Sequence, residues 1–326
     1  MEKYSQFRDR GTGIAPFFPF TTPLTALSTV THTFLFLFRL PLFISYIASY
    51  LLLFHWLPFL PVVVRKVALW GLMAIPGIWW VDLQLDGVKR GTLADQPRER
   101  VPHPGSIIAA NFTSPLDAVY LAAIFDPVFT ISYPGSRQVQ KVGLVGAIFY
   151  AFSSVRTAPP PGANLVNLKQ LLEEHPGRVI AIFPECGTTN GKAILPLSPS
   201  VLETPADVHI FPVSLRYTPS DVTTPLPGQW IRFLWNLLSR PTTCIRVRIA
   251  EGQLNTSMAR TNGVSAPAGD RAGELRSRFA EGDISDHEKK VLDRISEALA
   301  RLSRVKRVGL TMQDKAAFVE AYRKRR

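Results

Sequence analysis

The stretch IIAANFTSPLD, from Ile107 to Asp117, joins a predicted strand to a predicted helix. The apolar run from Ile107 to Phe112 has the length and composition of a buried strand. Ser114 then provides a hydroxyl for the helix N-cap, Pro115 suits the first helical position, and Asp117 places a carboxylate in the first turn. The stretch therefore predicts that Asp117 lies at the carboxyl end of a strand, which is where open α/β sheets bind ligands.

Short runs rich in valine, isoleucine, phenylalanine or threonine alternate with helical stretches along the rest of the chain. The predicted strands are Val81 to Leu85, Ile107 to Phe112, Val128 to Tyr133, Arg178 to Phe183, His209 to Arg216 and Thr243 to Ile249. The predicted helices are Pro115 to Phe125, Gln138 to Ser154, Gly162 to Glu174, Gln229 to Leu238 and Ser285 to Val305. This alternation predicts an α/β fold with a largely parallel sheet flanked by helices.

The composition favours some classes of partner and excludes others. Of the 326 residues, 46% are apolar, and the formal net charge of +12 favours anionic surfaces, with membrane lipids as the best fit. The basic residues are scattered and form no aromatic-studded face, so no nucleic-acid partner is predicted. The two cysteines, Cys186 and Cys244, lack the number and spacing of a disulfide framework or a zinc site, and no metal site is predicted. No G-x-S-x-G motif occurs, which argues against an α/β-hydrolase.

Two apolar runs near the N-terminus predict contact with a membrane. Leu40 to Leu57 would form roughly 27 Å of helix, which just reaches the hydrocarbon thickness of about 30 Å. Val67 to Val81 would form roughly 22 Å, which is too short to cross. We therefore expect an N-terminal membrane-embedded helical hairpin that dips into one leaflet. A single spanning helix and a buried helix pair of a soluble domain are the alternatives.

These patterns divide the chain into five predicted segments. They are an N-terminal cytosolic segment at 1–33, the membrane-associated hydrophobic hairpin at 34–80, an α/β domain at 81–252, a flexible insertion at 253–283, and basic amphipathic helices at 284–326. The insertion is predicted because this stretch is rich in small and polar residues without apolar periodicity.

The last segment carries a clear helix signal. Ser285 and Glu288 have the spacing of a capping box, and an apolar stripe follows at Val291, Ile295, Leu299 and Leu302. The stripe predicts packing on the chain's own domain, with binding to a membrane surface as the alternative.

The chain contains four blocks whose order is informative. They are NFTSPLD at Asn111 to Asp117, GAIFYAFSSVR at Gly146 to Arg156, FPECGTTNGK at Phe183 to Lys192 and IFPVSLRY at Ile210 to Tyr217. Together they resemble the motifs of the glycerolipid (1-acyl-sn-glycerol-3-phosphate) acyltransferase family, so this region is PlsC-like. The beginning, MEKYSQFRDRGTGIAPFFP, is similar to the start of the fungal lysophosphatidic acid:oleoyl-CoA acyltransferases, a branch that lacks the motif histidine.

The resemblance implies an enzyme that moves a fatty acyl group from acyl-CoA to lysophosphatidic acid, giving phosphatidic acid for phospholipid and triacylglycerol synthesis. Acyl-CoA is then a co-substrate, and no cofactor is expected. The implied location is the endoplasmic reticulum membrane and the lipid droplet surface, with the catalytic domain in the cytosol.

The resemblance also implies roles for particular residues. The second block of the family carries an arginine that contacts the substrate phosphate, and Arg156 falls at that place. The third block contains a glycine-bearing turn whose backbone amides suit a phosphate. The phosphate-binding residues implied there are Glu185, Gly187, Thr188 and Lys192.

The first block departs from the family pattern. Phe112 occupies the place of the general-base histidine, five residues before Asp117. We predict that Asp117, helped by Thr113 and Ser114, takes over the catalytic role, and that Phe112 lies on the acyl-chain path with Pro212 of the fourth block. Loss of the histidine also allows a second interpretation, a catalytically inactive relative that binds lipid or acyl-CoA at the membrane.

The third block departs at one position. Cys186 stands where the family usually has glycine. A positive φ angle there disfavours cysteine, so we expect a reshaped loop with Gly187 as its flexible point.

Overall fold

A mixed β-sheet forms the centre of the molecule in a computed structural model, which describes residues 2–20, 22, 26–56, 61–88, 97–259 and 284–324. The strands are β1 (Trp80–Leu85), β2 (Ile107–Ala110), β3 (Val128–Ser132), β4 (Val139–Val142), β5 (Leu165–Val166), β6 (Ile180–Phe183), β7 (Ala193–Ile194), β8 (His209–Thr218), β9 (Cys244–Ile249), β10 (Gln253–Leu254) and β11 (Lys306–Arg307). The α-helices are α1 (Ala26–Trp56), α2 (Val62–Ala74), α3 (Pro115–Phe125), α4 (Leu144–Phe152), α5 (Leu168–Glu174), α6 (Trp230–Ser239), α7 (Thr256–Ala259), α8 (Asp286–Ser303) and α9 (Met312–Arg323).

Nine of the described strands belong to one sheet, in the order β1-β9-β8-β2-β6-β3-β4-β5, with β10 paired to β8. The four central strands, β8, β2, β6 and β3, are parallel. The sheet becomes antiparallel where β9 joins β8 and where β4 joins β3. The prediction of an α/β fold with a parallel sheet between helices is confirmed. The carboxyl ends of β2 and β6 therefore lie side by side, so the loops that follow them meet.

Helices cover both faces of the sheet, as a parallel sheet requires. Alternate residues of β2 point to opposite faces. Ile108 and Ala110 join a cluster with α2, α3, α4 and α6, whereas Ile107 and Ala109 join a second cluster with α5 and α8. The central strands are consequently buried on both sides, which explains why the sequence of β2 is apolar without alternation.

The C-terminal stripe packs on the chain's own domain, as predicted. Val291, Ile295, Leu299 and Leu302 are all buried. The side chain of Ser285 accepts a hydrogen bond from the backbone of Glu288, whose carboxylate accepts one from the backbone of Ser285. The capping box is thus confirmed, and α8 lies against the sheet instead of facing a membrane.

The predicted helix from Gln138 to Ser154 is wrong in its first part. Residues Val139–Val142 form β4, which pairs antiparallel with β3, and α4 begins only at Leu144. Val139 is buried, and its strand pairs with β3. These tertiary contacts outweigh the local helix propensity of the segment. The predicted helix from Gly162 is also shorter than expected, because Leu165–Val166 pair with β4 before α5 begins at Leu168.

Two helices form the N-terminal apolar region. Helix α1 has 31 residues and continues through Pro41, so it begins well before the predicted run at Leu40. Among the described residues, it is the one helix long and apolar enough to cross a membrane, over Ser28–Leu53. Helix α2 ends at Ala74, and the chain turns at Gly77, where φ is 84°, before β1 begins. The predicted second run to Val81 is therefore a helix followed by a strand.

Helix α1 is attached to the domain along one side. The hydroxyl of Tyr46 in α1 donates a hydrogen bond to the carbonyl of Ala68 in α2 at 2.9 Å. Arg39 donates to the carbonyl oxygens of Leu238 and Pro241 at the end of α6, at 3.4 and 3.0 Å. The opposite side remains exposed and apolar, at Val30, Phe34, Leu37, Phe38, Leu42, Ile44, Leu51, Leu52 and Leu53.

The two ends of the described chain pack together over the third block. We call residues 2–20 and α9 the terminal clasp. Phe7 and Phe17 pack with Phe318 of α9 and with Cys186 in one buried cluster. The side chain of Asn190 donates to the carbonyls of Ala15 and Phe18, at 2.8 and 2.9 Å.

The predicted insertion is ordered at its beginning. Gln253 and Leu254 pair with β8, and α7 follows. The remainder of that prediction, residues 260–283, lies outside the described residues.

Candidate active site

The loop after β2 is fixed by side-chain hydrogen bonds. The amide of Asn111 donates to the carbonyl of Leu215 at 3.0 Å and accepts from its backbone N–H at 2.7 Å. The next residue, Phe112, is fully buried. Its ring stacks on Phe183 with centroids 4.3 Å apart and lies parallel to Tyr150 at 6.1 Å. At the position where the family motif has a histidine, this chain therefore has Phe112, whose ring is part of an aromatic stack.

Asp117 is the third residue of α3 and closes a capping box with Ser114. One carboxylate oxygen accepts from the backbone N–H groups of Thr113 and Ser114, at 2.6 and 2.9 Å, and from the Thr113 hydroxyl at 3.2 Å. The other accepts a short hydrogen bond from the hydroxyl of Tyr217. Sequence reasoning missed Tyr217 as a site residue, although it is the last residue of the fourth block.

Burial governs the protonation of Asp117. The side chain is 0% exposed, and burial raises its pKa to about 6, against the lowering effect of the hydrogen bonds from Tyr217, Thr113 and Ser114. The carboxylate is therefore mostly ionised at neutral pH. It has a pKa suited to accepting a proton from a hydroxyl.

The loop after β6 brings the third block against the first. The backbone N–H of Thr189 donates to the carbonyl of Phe112 at 3.0 Å. The carboxyl group of Glu185 accepts from the backbone of Leu195 at 3.1 Å, and burial raises its pKa to about 8, against the lowering effect of backbone hydrogen bonds from Leu195 and Phe112. Glu185 is therefore mostly protonated at neutral pH. The structure thus brings together Phe112, Thr113, Ser114, Asp117 and Glu185.

The expectation about Gly187 is corrected. Cys186 has a positive φ angle of 60° and Gly191 one of 71°, whereas Gly187 is not in the left-handed region, so the loop is left-handed at the cysteine and not at Gly187. Gly187 serves close packing instead, because a Cβ atom on it would lie 2.4 Å from Cε of Met312 in α9. Neighbouring Thr188 is buried and donates from its hydroxyl to the carbonyl of Thr224 at 2.6 Å.

Two of the predicted phosphate-binding residues carry a positive charge. Arg156 is half-buried in the loop after α4. Its charge lowers the pKa of Tyr150, against the larger raising effect of burial, and the Tyr150 hydroxyl donates to the carbonyl of Cys186 at 2.9 Å. Lys192 is exposed, and its ammonium lies 4.6 Å from the ring centroid of Phe20. Lys192 thus contacts the terminal clasp rather than the buried part of the site.

Pro212 is not brought together with Phe112. It pairs with Ala109 in the sheet, between Phe211 and Val213, which both face the cluster that contains Phe112. Because side chains alternate along a strand, Pro212 points to the opposite face, where α8 packs. The prediction that both residues lie on one acyl-chain path is therefore wrong for Pro212.

One cavity reaches the third block. It has a volume of about 680 Å³, and its walls include Arg137, Glu185, Cys186, Ser198 and Met312. Asp117 and Arg156 do not line it. The cavity therefore reaches Glu185 at the end of the sheet that lies next to α9.

The sequence analysis also missed Lys315. This lysine of α9 is 3% exposed, and its ammonium donates to the carbonyl of Thr188 at 2.6 Å and to its hydroxyl at 3.3 Å. Burial lowers its pKa to about 7, which the nearby Glu185 partly opposes. No signal in the sequence identifies it, because it lies in a polar helix 127 residues beyond Thr188.

Comparison with known proteins agrees with the four blocks. Residues 94–216 match the family model described as Acyltransferase, which includes the first three blocks and all but the last residue of the fourth. A protein of Schizosaccharomyces pombe, provisionally named a lysophosphatidic acid:oleoyl-CoA acyltransferase, is 26% identical over 77% of this chain and 84% of its own length. Lysophosphatidic acid:oleoyl-CoA acyltransferase 1 of Saccharomyces cerevisiae is 27% identical over 61% of each chain.

A solved structure also resembles this chain. It is the 1-acyl-sn-glycerophosphate (LPA) acyltransferase PlsC from Thermotoga maritima, with 18% identity, a TM-score of 0.34, and 83% of this chain and 97% of that chain covered. Residues 94–216 therefore match an acyltransferase domain, and the chain is similar to fungal lysophosphatidic acid:oleoyl-CoA acyltransferases, on a fold that joins the first and third blocks.

Proposed function

We propose that this protein transfers an acyl group from acyl-CoA to lysophosphatidic acid and thereby forms phosphatidic acid. The names of the two fungal relatives give this reaction. The observation that carries the proposal is the hydrogen bond of 3.0 Å between the Thr189 N–H and the Phe112 carbonyl. It joins the predicted catalytic block to the predicted phosphate-binding block at adjacent strand ends.

In this reaction the glycerol hydroxyl oxygen attacks the carbonyl carbon of the thioester. The carbon–sulfur bond then breaks, and the hydroxyl proton finally goes to the sulfur of coenzyme A. Loss of the histidine removes general-base catalysis worth about 10²–10⁴-fold. Positioning of the two substrates can still lower the barrier by roughly 7–11 kcal/mol, so a slower enzyme without imidazole is chemically reasonable.

Asp117 is the base that we propose. It is mostly ionised at neutral pH because its pKa is about 6. Its oxygens already accept hydrogen bonds, so a substrate hydroxyl must replace one donor. The Thr113 hydroxyl, at 3.2 Å, makes the longest of the contacts to the carboxylate and is the donor that we expect to yield.

The phosphate of the acceptor lies, in this proposal, between Arg156 and the turn at residues 187–191. The guanidinium group suits a phosphate because it offers charge and directed N–H donors. Glu185 and Thr188 then hold the shape of the turn, and Lys192 lies at its outer edge.

The exposed side of α1 supports association with a membrane. Phe36, Leu40, Phe43 and Ile47 face the domain, whereas the apolar residues on the other side have no protein cover. Trp79 and Trp80, 65% and 72% exposed, fit the head-group level. A helix attached to its domain at Arg39 and Tyr46 is more compatible with a hairpin in one leaflet than with a helix that spans the bilayer.

We propose the endoplasmic reticulum membrane and the lipid droplet surface as the location, with the domain in the cytosol. A glycosylation acceptor placed in the first thirty residues tests the topology. The hairpin predicts that the acceptor stays unmodified, and efficient glycosylation would instead support a spanning helix.

The reaction itself is tested by oleoyl transfer to lysophosphatidic acid with purified protein. We expect measurable transfer by the unmodified chain and losses of about 10²-fold or more in Asp117→Asn, because the carboxylate base is removed. Arg156→Ala should raise the KM for lysophosphatidic acid more than the KM for oleoyl-CoA.

Exposed positions provide matched controls. Asp286→Asn and Arg294→Ala make the same chemical changes on the surface of α8 and should leave transfer unchanged. Equal traces of activity in all variants would point to a contaminant and to a protein that only binds lipid.

A further inference from the structure

A second cavity lies at the opposite end of the sheet from Asp117. Its volume is about 880 Å³, and its walls come from α1, α2, the strand edge at β4 and β5, and α5. Asp126 and Arg178 in these walls come just before β3 and β6, whereas Asp117 follows β2. Because β2, β3 and β6 are parallel, this cavity is at the amino ends of the strands, away from the site proposed for the reaction.

Basic side chains outnumber carboxylates in the wall of this cavity. The basic residues are Arg65, Lys141 and Arg178, and the described carboxylates are Asp126 and Glu174. The carboxylate of Asp126 pairs with Arg65 and also lies 3.3 Å from Nη2 of Arg178. One carboxylate therefore serves two guanidinium groups, and the wall keeps an excess of positive charge.

Two of these cations lack an acidic acceptor. Nε of Arg65 is buried and has no hydrogen-bond partner, although the side chain as a whole is 37% exposed. An arginine nitrogen can only donate, so the atom that is missing is an acceptor. Nζ of Lys141 lies 2.6 Å from Nε2 of His175, and Lys141 takes part in none of the ion pairs found within 4.0 Å among the described residues. An anionic acceptor in the cavity would complete both cations.

Apolar side chains at the margin of the cavity indicate what kind of anion fits. Leu69 of α2 and Leu144 of α4 line the wall. Val67 and Val145 of the same two helices are exposed to the surroundings, and exposed apolar surface of this kind is typical of contact with a membrane. A phospholipid combines an anionic headgroup with acyl chains, so it matches a basic cavity with an apolar margin.

We propose that this cavity binds the phosphate of an anionic membrane phospholipid that is not a substrate of the enzyme. Arg65 and Lys141 donate to the phosphate oxygens, and the acyl chains stay in the leaflet beside α2 and α4. The inference uses the membrane association proposed above and does not depend on the acyl-transfer reaction. A lipid held here attaches the amino end of the sheet to the bilayer, in addition to the attachment through α1.

The test measures partition of the full chain onto two kinds of vesicle, dioleoylphosphatidylcholine alone and an equimolar mixture with dioleoylphosphatidylglycerol. Phosphatidylglycerol is anionic and is neither substrate nor product of the proposed reaction. Wild type should prefer the mixed vesicles. Lys141→Gln should weaken partition onto them about fivefold or more, because a cation that contacts the headgroup is lost, and should leave partition onto phosphatidylcholine unchanged.

The chain offers a matched control for each variant. Lys169→Gln removes the same charge from an exposed lysine of α5 that does not line the cavity, and it should keep the preference of wild type. Arg65→Gln should act in the same direction as Lys141→Gln, with Arg294→Gln on the exposed surface of α8 as its control. Lys141→Gln breaks no ion pair among the described residues, so its melting temperature should stay that of wild type and its result stands even if Arg65→Gln is unstable.

Three outcomes would overturn the inference. Undiminished partition of Lys141→Gln onto the mixed vesicles excludes the site. Equal losses in Lys141→Gln and Lys169→Gln mean that the vesicles attract the overall charge of the protein and not this cavity. If inorganic phosphate, exchanged for chloride at equal ionic strength, abolishes the preference of wild type, the cavity takes a soluble phosphate instead of a lipid.

Acyl transfer in detergent micelles separates this site from the proposed function. Lys141→Gln should keep the kcat of wild type there, because the cavity is at the other end of the sheet from Asp117, and a lower kcat would place the cavity in the reaction and overturn the inference. If wild type transfers no acyl group but shows a Lys141-dependent preference for the mixed vesicles, the headgroup site stands without the reaction. If wild type transfers acyl groups and shows no such preference, the reaction stands without this site.

Discussion

At the residue scale, the position of Phe112 decides what kind of chemistry the first block can support. Its ring is fully buried between Phe183 and Tyr150. The backbone on either side is nevertheless held in place, by Asn111 bonding to β8 and by Asp117 bonding to Thr113. The block thus retains its geometry while the side chain that normally reacts has become part of the core.

Phe112→His should therefore raise the rate of acyl transfer. An imidazole at this position would lie next to the Asp117 loop, and general-base catalysis contributes about 10²-fold or more. The measurement is kcat for oleoyl transfer, with Phe129→His as a control that introduces the same group elsewhere in the aromatic stack. A folded Phe112→His protein with unchanged kcat would contradict the retained geometry.

Tyr217→Phe should shift the pH dependence of transfer. The hydrogen bond from Tyr217 lowers the pKa of Asp117, so its removal raises that pKa above about 6. If ionised Asp117 is the base, activity is lost as pH falls through the pKa, and the acid limb of the kcat/KM profile moves to higher pH. Tyr133→Phe, which loses a hydrogen bond to Gln140 instead, should leave the profile in place.

Glu185→Gln should change how stability depends on pH. The pKa of Glu185 is raised from 4.5 to about 8 on folding, so its contribution to stability is fully present below pH 4.5 and is lost as pH rises toward 8. Between pH 5 and 7 the free energy of unfolding of the wild type should fall by about 2–3 kcal/mol more than that of the variant. Thermal unfolding of both proteins at the two pH values measures this difference; parallel changes would contradict a raised pKa.

At the element scale, the sequence predicts best where local signals and burial agree. The bounds of α3 follow from Ser114 and Pro115, and the capping box of α8 follows from Ser285 and Glu288. The sequence fails at β4, because the pairing with β3 is a long-range contact that local helix propensity does not contain. It fails for Lys315 for the same reason, since only the tertiary fold reveals that this lysine of α9 contacts Thr188.

The attachment of α1 to α6 gives a prediction at this scale. Arg39 satisfies carbonyl oxygens of Leu238 and Pro241 at the end of α6. Arg39→Leu leaves these carbonyls without their donor and should lower stability by about 1–3 kcal/mol. Limited proteolysis should then cleave between α1 and the domain faster than in the wild type. Arg294→Ala, on the exposed surface of α8, controls for the loss of an arginine, and equal cleavage in both would show that Arg39 does not hold the helix.

At the scale of the whole molecule, the terminal clasp closes the end of the sheet that carries the third block. Phe318 is fully buried and its ring contacts those of Tyr4, Phe7, Phe17 and Phe18. Met312, six residues earlier in α9, fills the space above Gly187. The same packing covers Cys186, and burial raises the pKa of its thiol to about 12.

Phe318→Ala should expose Cys186 to thiol reagents. Truncation of a buried phenylalanine typically costs about 3–5 kcal/mol, which should release α9 from residues 2–20. In a Cys244→Ser background, reaction with a thiol-specific reagent at pH 8 reports on Cys186 alone. Lys324→Ala should leave the thiol unreactive, and a slow reaction in Phe318→Ala would mean that the clasp does not protect the block.

The clasp also joins stretches that lie far apart in the chain. Residues 2–20 and α9 lie on either side of the sheet-forming part of the sequence, yet both are needed to cover the loop at 186–190. Contacts between distant parts of a chain form slowly, because a long loop must close. The third block therefore acquires its cover only after the sheet beneath it has formed.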